Sequence, residues 1–300
     1  MSNPNQHLNL RKKFIEDFSI PISYYEGDAF MYYIRLYGFD DKWDMLVKYL
    51  DEKGMSDEVY LSMRSTIIAS AVDAISSTDA YFRLCMTPFQ SKETAAGFNL
   101  YSVANHGKQF LTYDMKESNF QVMKSFDRDI VLGARSYTDF ISKFTDCQPL
   151  ISSKYVRQVI FGKLNPHKVS VMSRDKAAGL ANHHEVAEGI MLSGINNDEV
   201  FYEVTDMESV GELPDIEYDG VIFRPSLFTL EAVQYSAQNS KTVRVFIKRH
   251  NDGRITFHAC GSIYYAQVYK DVNGMPLGPY DLMFMHDGIP AQFTKQLFRI

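Results

Sequence analysis

Apolar residues recur at helical spacing through the first quarter of the chain. The stretch "DAFMYYIRLY" (28–37) predicts a short buried helix closed by Gly38. In "DDKWDMLVKYLDEKG" acids open the run and Lys53-Gly54 close it, which suits the helix dipole and a glycine C-cap. Ser56 is placed to cap a long helix, with Asp57 and Glu58 in its first turn. Val59, Met63, Ile67 and Ala71 form one stripe on that helix, widened by Ile68, Val72 and Ile75. Residues 28–76 therefore read as a helical bundle. Before them, residues 1–27 read as an irregular N-terminal arm, because Pro21 limits any helix in "SIPISYY".

The period then changes. "FNLYSVANHGKQFLTYDM" (98–115) shows two strand-like runs around Asn105-His106-Gly107, the pattern of a hairpin. Residues 120–144 return to a helical period with a break near Gly133, and Pro149 marks a stop. Past 150, "YVRQVIFG", "KVSVMS", "EVFYEV", "DGVIFRP", "KTVRVFIKRH", "RITFHACGSIYYAQVY" and "YDLMFM" all fit strands, and "DKAAGLANHHEVAEGIML" fits one helix between them. The acidic run 205–220 reads as a surface loop. The expected fold class is α+β: a helix-rich part (28–150, with the hairpin at 98–115) followed by a mainly antiparallel, β-rich part (151–300).

The turn Asn251-Asp252-Gly253 fixes one register. A three-residue loop with Gly253 in the left-handed bulge position sets His250 opposite Arg254, Lys248 opposite Thr256 and Ile247 opposite Phe257. Val243, Val245, Ile247, Ile255, Phe257 and Ala259 then share a face, with Arg249 as its exception. Arg244, Lys248, His250, Arg254, Thr256 and His258 share the other, with Phe246 among them. The second face reads as a solvated, cationic surface and candidate binding face: Arg244, Lys248, His250, Arg254 and His258.

Composition narrows the classes. Of 300 residues, 45% are hydrophobic and 23% charged, which is globular and large enough for one big domain or two ordinary ones. The net charge of −6 argues against a general nucleic-acid coat, which needs a basic surplus. No apolar run approaches the roughly 18 residues of a membrane span, and the polar start shows no secretion signal. Cys85, Cys147 and Cys260 are far apart and odd in number, as in a reducing compartment. The expected setting is cytoplasmic, or a particle assembled in the cytoplasm. Aromatics at 14% favour a chain that packs against protein partners or copies of itself.

Candidate chemistry is thin. Phosphate-loop, nucleophile-elbow and kinase signatures are absent, and no cofactor is expected. His184 and Glu188 would lie one turn apart on a helix, a spacing for a divalent metal, but no third ligand follows them. Asp127 and Asp129 flank Arg128, and Asp215, Glu217 and Asp219 alternate near a strand. Carboxylate pairs of this kind bind Mg²⁺ in nucleases and polymerases. "PDIEYDG" starts like a restriction-type nuclease acid, yet Phe246-Ile247-Lys248 lacks the acid that must accompany the lysine. "FMHDGIPAQF" (284–293) resembles the His-Asp element in the palm of single-subunit phage RNA polymerases, with His286-Asp287 after an apolar strand. Gly288 stands where that family usually has serine, and its earlier aspartate motif and lysine-bearing helix are not matched. The candidate catalytic carboxylates are Asp127, Asp129, Asp219 and Asp287.

Three functions fit these features. The first is a non-enzymatic structural or assembly subunit, such as a virion or tail component. The second is a metal-dependent enzyme acting on nucleic acid through scattered carboxylates, with the basic hairpin gripping phosphate. The third is a small-molecule or peptide-binding module with an aromatic pocket.

Overall fold

The computed structural model describes residues 7–237 and 241–300. The fold is α+β. Five helices come first: α1 (Leu8–Phe18), α2 (Ala29–Leu36), α3 (Asp40–Lys53), α4 (Asp57–Ser76) and α5 (Asp79–Met86). Strand β1 (Gln109–Met115) follows, then α6 (Ser118–Phe126), α7 (Tyr137–Ile141), α8 (Gln148–Ile151), α9 (Lys154–Gly162) and α10 (Pro166–His183). Next come β2 (Ile190–Asn196), β3 (Glu199–Val204), β4 (Ile216–Tyr218), β5 (Val221–Ser236), β6 (Thr242–His250) and β7 (Ile255–His258). The chain ends with α11 (Ser262–Val272), β8 (Met283–His286), β9 (Ile289–Gln292) and β10 (Phe298–Arg299).

The main sheet runs β2-β3-β1-β5-β6-β7, with β4 and β10 also paired to the long β5, and its named pairings are all antiparallel. Alternation gives the sheet two different faces. Leu111, Tyr113, Met115, Val200, Tyr202, Val204 and Phe223 point into a large core shared with the helices. Val233, Tyr235, Val243, Val245 and Ile247 continue that side, packing on Val268 of α11. The other face carries a small apolar cluster, Phe110, Phe201, Phe228, Leu230 and Phe246, which holds no helix residue. A strap of irregular chain bearing Phe98, Leu100 and Tyr101 lies on that cluster. Beyond the strap, Arg224, Arg244 and Thr256 on this second face are exposed.

Helices α2, α3 and α4 fall as expected. Ser56 caps α4 by accepting from the Val59 amide, and Gly54 closes α3 in the left-handed region at φ 58°. The buried stripe of α4 is rotated from the predicted one. Val59 is exposed, while Tyr60, Arg64, Ile67, Ile68, Ala71 and Ile75 are inside. Arg64 is tolerated there because its guanidinium grips the buried Asp17 of α1 at 2.5 and 2.9 Å. The arm is also more regular than predicted: residues 8–18 are helical, with Leu10 and Phe14 in the core. Residues 1–6 lie outside the described residues.

Four further expectations are corrected. "YVRQVIFG" and "KVSVMS" are helices α9 and α10. Val156 and Ile160, four apart, bury one helical face, and Asn165 caps α10 ahead of Pro166. The helix expected to run through 192 stops at His183, and β2 begins at Ile190 after Gly189 at φ 84°. In 98–115 only the second run is a strand. It pairs with β3 and β5, both distant in sequence, while the first run is the strap. After β7 the expected strand "GSIYYAQVY" is α11. One core cluster joins residues on both sides of position 150, from Leu10 to Ala266.

Candidate functional site

The site is built where β1 ends. Its neighbour, the β2–β3 hairpin, turns at Asn197-Asp198, with Asn197 in the left-handed region at φ 52°. The Met115 amide donates to the Asp198 carbonyl at 3.0 Å, tying that turn to the end of β1. Across β3-β1-β5 the register aligns Glu199, Asp114 and Arg224 on the second face, with Phe201, Thr112 and Ser226 in the next row.

A cleft of about 410 Å³ opens beside this hairpin. Asp114 and Asp198 line it together with Glu117, Ser118 and Asn119 at the start of α6. Helix α9 contributes Lys154, Arg157 and Gln158. Lys154 and Arg157 are three apart, so a helix sets both on one side, whereas a strand would have set them on opposite sides. Arg157 is braced by Glu117 at 3.5 Å and lies over the Tyr137 ring at 5.5 Å. The Ser153 hydroxyl caps α9 and also donates to the Asp17 carbonyl, which fixes where the helix starts.

The electrostatics are unfavourable to Asp114 and Glu199 as they stand. Asp114 is exposed as a residue, yet the protein around its carboxyl strips away part of its solvation. Burial, with the neighbouring carboxylates of Glu199 and Asp198, pushes its carboxyl up to about 7. Burial also pushes Glu199 up, offset by Lys248 3.7 Å away and by the Thr112 hydroxyl. Lys248 is held over the Phe228 ring at 4.5 Å and near Tyr101 at 5.6 Å. No group of three or more His, Cys, Asp or Glu able to hold a metal gathers among the described residues. Mg²⁺ does not require one, since it is commonly held by one or two carboxylates and completed by substrate phosphates and water.

The residues singled out from sequence fare differently. Asp127 caps the 3-10 turn after α6, accepting from the Asp129 amide, and it pairs with Arg83 at 2.6 Å; these contacts hold its carboxyl below the usual range. Asp129 is exposed beside it. Asp219 sits in the β4–β5 turn and is taken by the buried Lys176 at 2.6 Å. Asp287 is at the exposed tip of the separate β8–β9 hairpin, where Asp287 and Gly288 both have positive φ, as a two-residue turn requires. None of these four lines the cleft. His184 and Glu188 do not share a helix face, because α10 ends first; His184 packs edge-on to Tyr113.

The β6–β7 register is the predicted one: Ile247 faces Phe257, Lys248 faces Thr256, and Gly253 has φ 85°. Arg249, the exception on the apolar side, is bonded to Glu231 at 2.7 Å. The cationic face needs correction, since it is not uniformly wet. Phe246 is buried, Lys248 is paired, and His258 stacks on Tyr101 of the strap at 3.5 Å. His250 bonds Ser226 and Thr256, each at 2.9 Å, and burial followed by Arg254 lowers its pKa. Arg244 and Arg254 remain exposed.

No family model, curated protein or solved structure matches the chain.

Proposed function

We propose that the chain is a metal-dependent enzyme of nucleotidyl transfer, with Asp114 and Asp198 as cation ligands. What supports this reading is one juxtaposition. Two carboxylates from adjacent β elements and two cations from one helix line the same cleft. The acids suit a Mg²⁺-class ion whose remaining ligands are water and phosphate oxygens. Lys154 and Arg157 suit the rest of a polyphosphate's charge. A nucleoside triphosphate has the charge to engage both sets. The pKa of Asp114 fits as well, because a cation there would relieve the repulsion that raises it.

In the step this arrangement serves, a substrate hydroxyl oxygen bonds to the α-phosphorus. The bond from that phosphorus to the bridging oxygen breaks, and pyrophosphate leaves with the electron pair. The hydroxyl proton passes to water. A cation held by Asp114 and Asp198 would supply offsetting positive charge to this step, while Arg157, steadied by Glu117, holds the departing phosphates.

The test supplies Mg²⁺, an α-labelled nucleoside triphosphate and a primed oligonucleotide. Wild type transfers label to the oligonucleotide, and Asp198→Asn lowers the rate at least ~100-fold, the upper range for disturbing a metal site's outer shell. No transfer by wild type, or equal transfer by the variant, overturns the reading. Cation-dependent cleavage of the oligonucleotide without incorporation would reassign the same site to hydrolysis.

A further inference from the structure

We infer that the second face of the main sheet is the path of a nucleic-acid strand leading to the cleft; this rests on the proposed transfer reaction. The face is continuous with the acids. From Asp114 the register leads through Arg224 and Ser226 of β5 to His250 of β6, and on through Lys248 to Thr256 of β7. All of these side chains are on one side of the sheet, and every apolar helix contact described above is on the other. Along this row Arg224 and Thr256 are exposed, Ser226 and His250 are half-buried, and Lys248 is mostly covered beside Glu199.

Its chemistry fits a sugar-phosphate backbone. Arg224 and Arg254 are 59% and 64% exposed and stand on either side of a line of hydroxyl and imidazole groups. Their present partners, Asp215 at 3.8 Å and Asp252 at 2.7 Å, are exposed loop carboxylates, and pairs of that kind are easily exchanged. Arg224 and Arg254 are thus two exposed cations flanking this row, each beside an exchangeable carboxylate. The Tyr101–His258 stack closes the far side with a flat aromatic surface.

The test is fluorescence anisotropy of a labelled single-stranded oligonucleotide, with and without its complement, over a salt series. Wild type binds with a salt-dependent affinity. R224E/R254E binds at least ~10-fold more weakly, and its log–log salt slope falls by about 2, one for each lost phosphate contact. If oligonucleotide binding depends on the arginines while no transfer occurs, the strand path stands and the catalytic reading falls. Absent or arginine-independent binding by wild type overturns the path. So does a wild-type dimer that the arginine variant dissolves, since the face would then belong to a second copy of the chain.

Discussion

Asp114 carries the sharpest consequence at the scale of single residues. Its carboxyl is pushed up to about 7 by crowding and by two neighbouring acids, so the fold holds it at a cost. An acid whose folded pKa lies above its unfolded value binds more protons when folded. Stability from this group is therefore present at low pH and lost as pH rises from about 4 toward 7. Asn at this position removes the repulsion. Asp114→Asn should melt a few degrees higher at pH 8, worth about 1 kcal/mol because solvent screens part of the effect, and it should lose activity. Thermal melts at pH 5 and pH 8 check this, with the gain shrinking at the lower pH. A variant less stable at both would mean that Asp114 is a structural ligand of the fold. Nothing in the run "TYDMKESN" announces such a residue. Its pKa is raised first by burial in the folded chain and then by Glu199 and Asp198, more than eighty positions away.

At the scale of elements, the hairpin β6–β7 was legible down to its register, because its turn chemistry and its alternating pattern agreed. Helices α2 to α4 were legible because their helical apolar period and their end signals agreed, whereas α1 was read as an irregular arm. Segments 155–162 and 168–173 were not. Short apolar runs rich in β-branched residues fit either period, and tertiary packing decides between them. That ambiguity hid the site, since as a strand "KYVRQ" would split Lys154 from Arg157. The strap 96–106 was also illegible, because its role depends on β2 and on the second face. It crosses β2 at Gly194, which has φ 138° and where an added Cβ would meet the Ala96 carbonyl at 2.5 Å. Gly194→Ala should destabilise the protein by about 1–3 kcal/mol through strain and clash together. Limited proteolysis should show faster cutting within 96–106, and unchanged cutting there would show that the strap does not depend on this crossing.

Across the whole molecule, the β class of the C-terminal half followed from its alternation, whereas the cleft follows from topology. Placing β1 between β3 and β5 is a long-range choice that local pattern does not encode. It brings Asp114 beside a turn near position 198 and sets both against α9, from a third region of the chain. The expectation of an assembly subunit rested on aromatic content and missing motifs. Much of that aromatic content is spent inside, in sets such as Phe14, Phe30 and Trp43 or Phe120, Tyr137, Phe140 and Phe161. The central claim is that Asp114 and Asp198 together hold a cation completed by substrate phosphates. Anomalous diffraction from crystals grown with Mn²⁺ and a non-hydrolysable nucleoside triphosphate tests it most directly. The account predicts a Mn²⁺ peak at about 2.0–2.3 Å from oxygens of both carboxylates, with the triphosphate running toward Lys154 and Arg157. A cleft without Mn²⁺, or a peak bound by other residues alone, would contradict it.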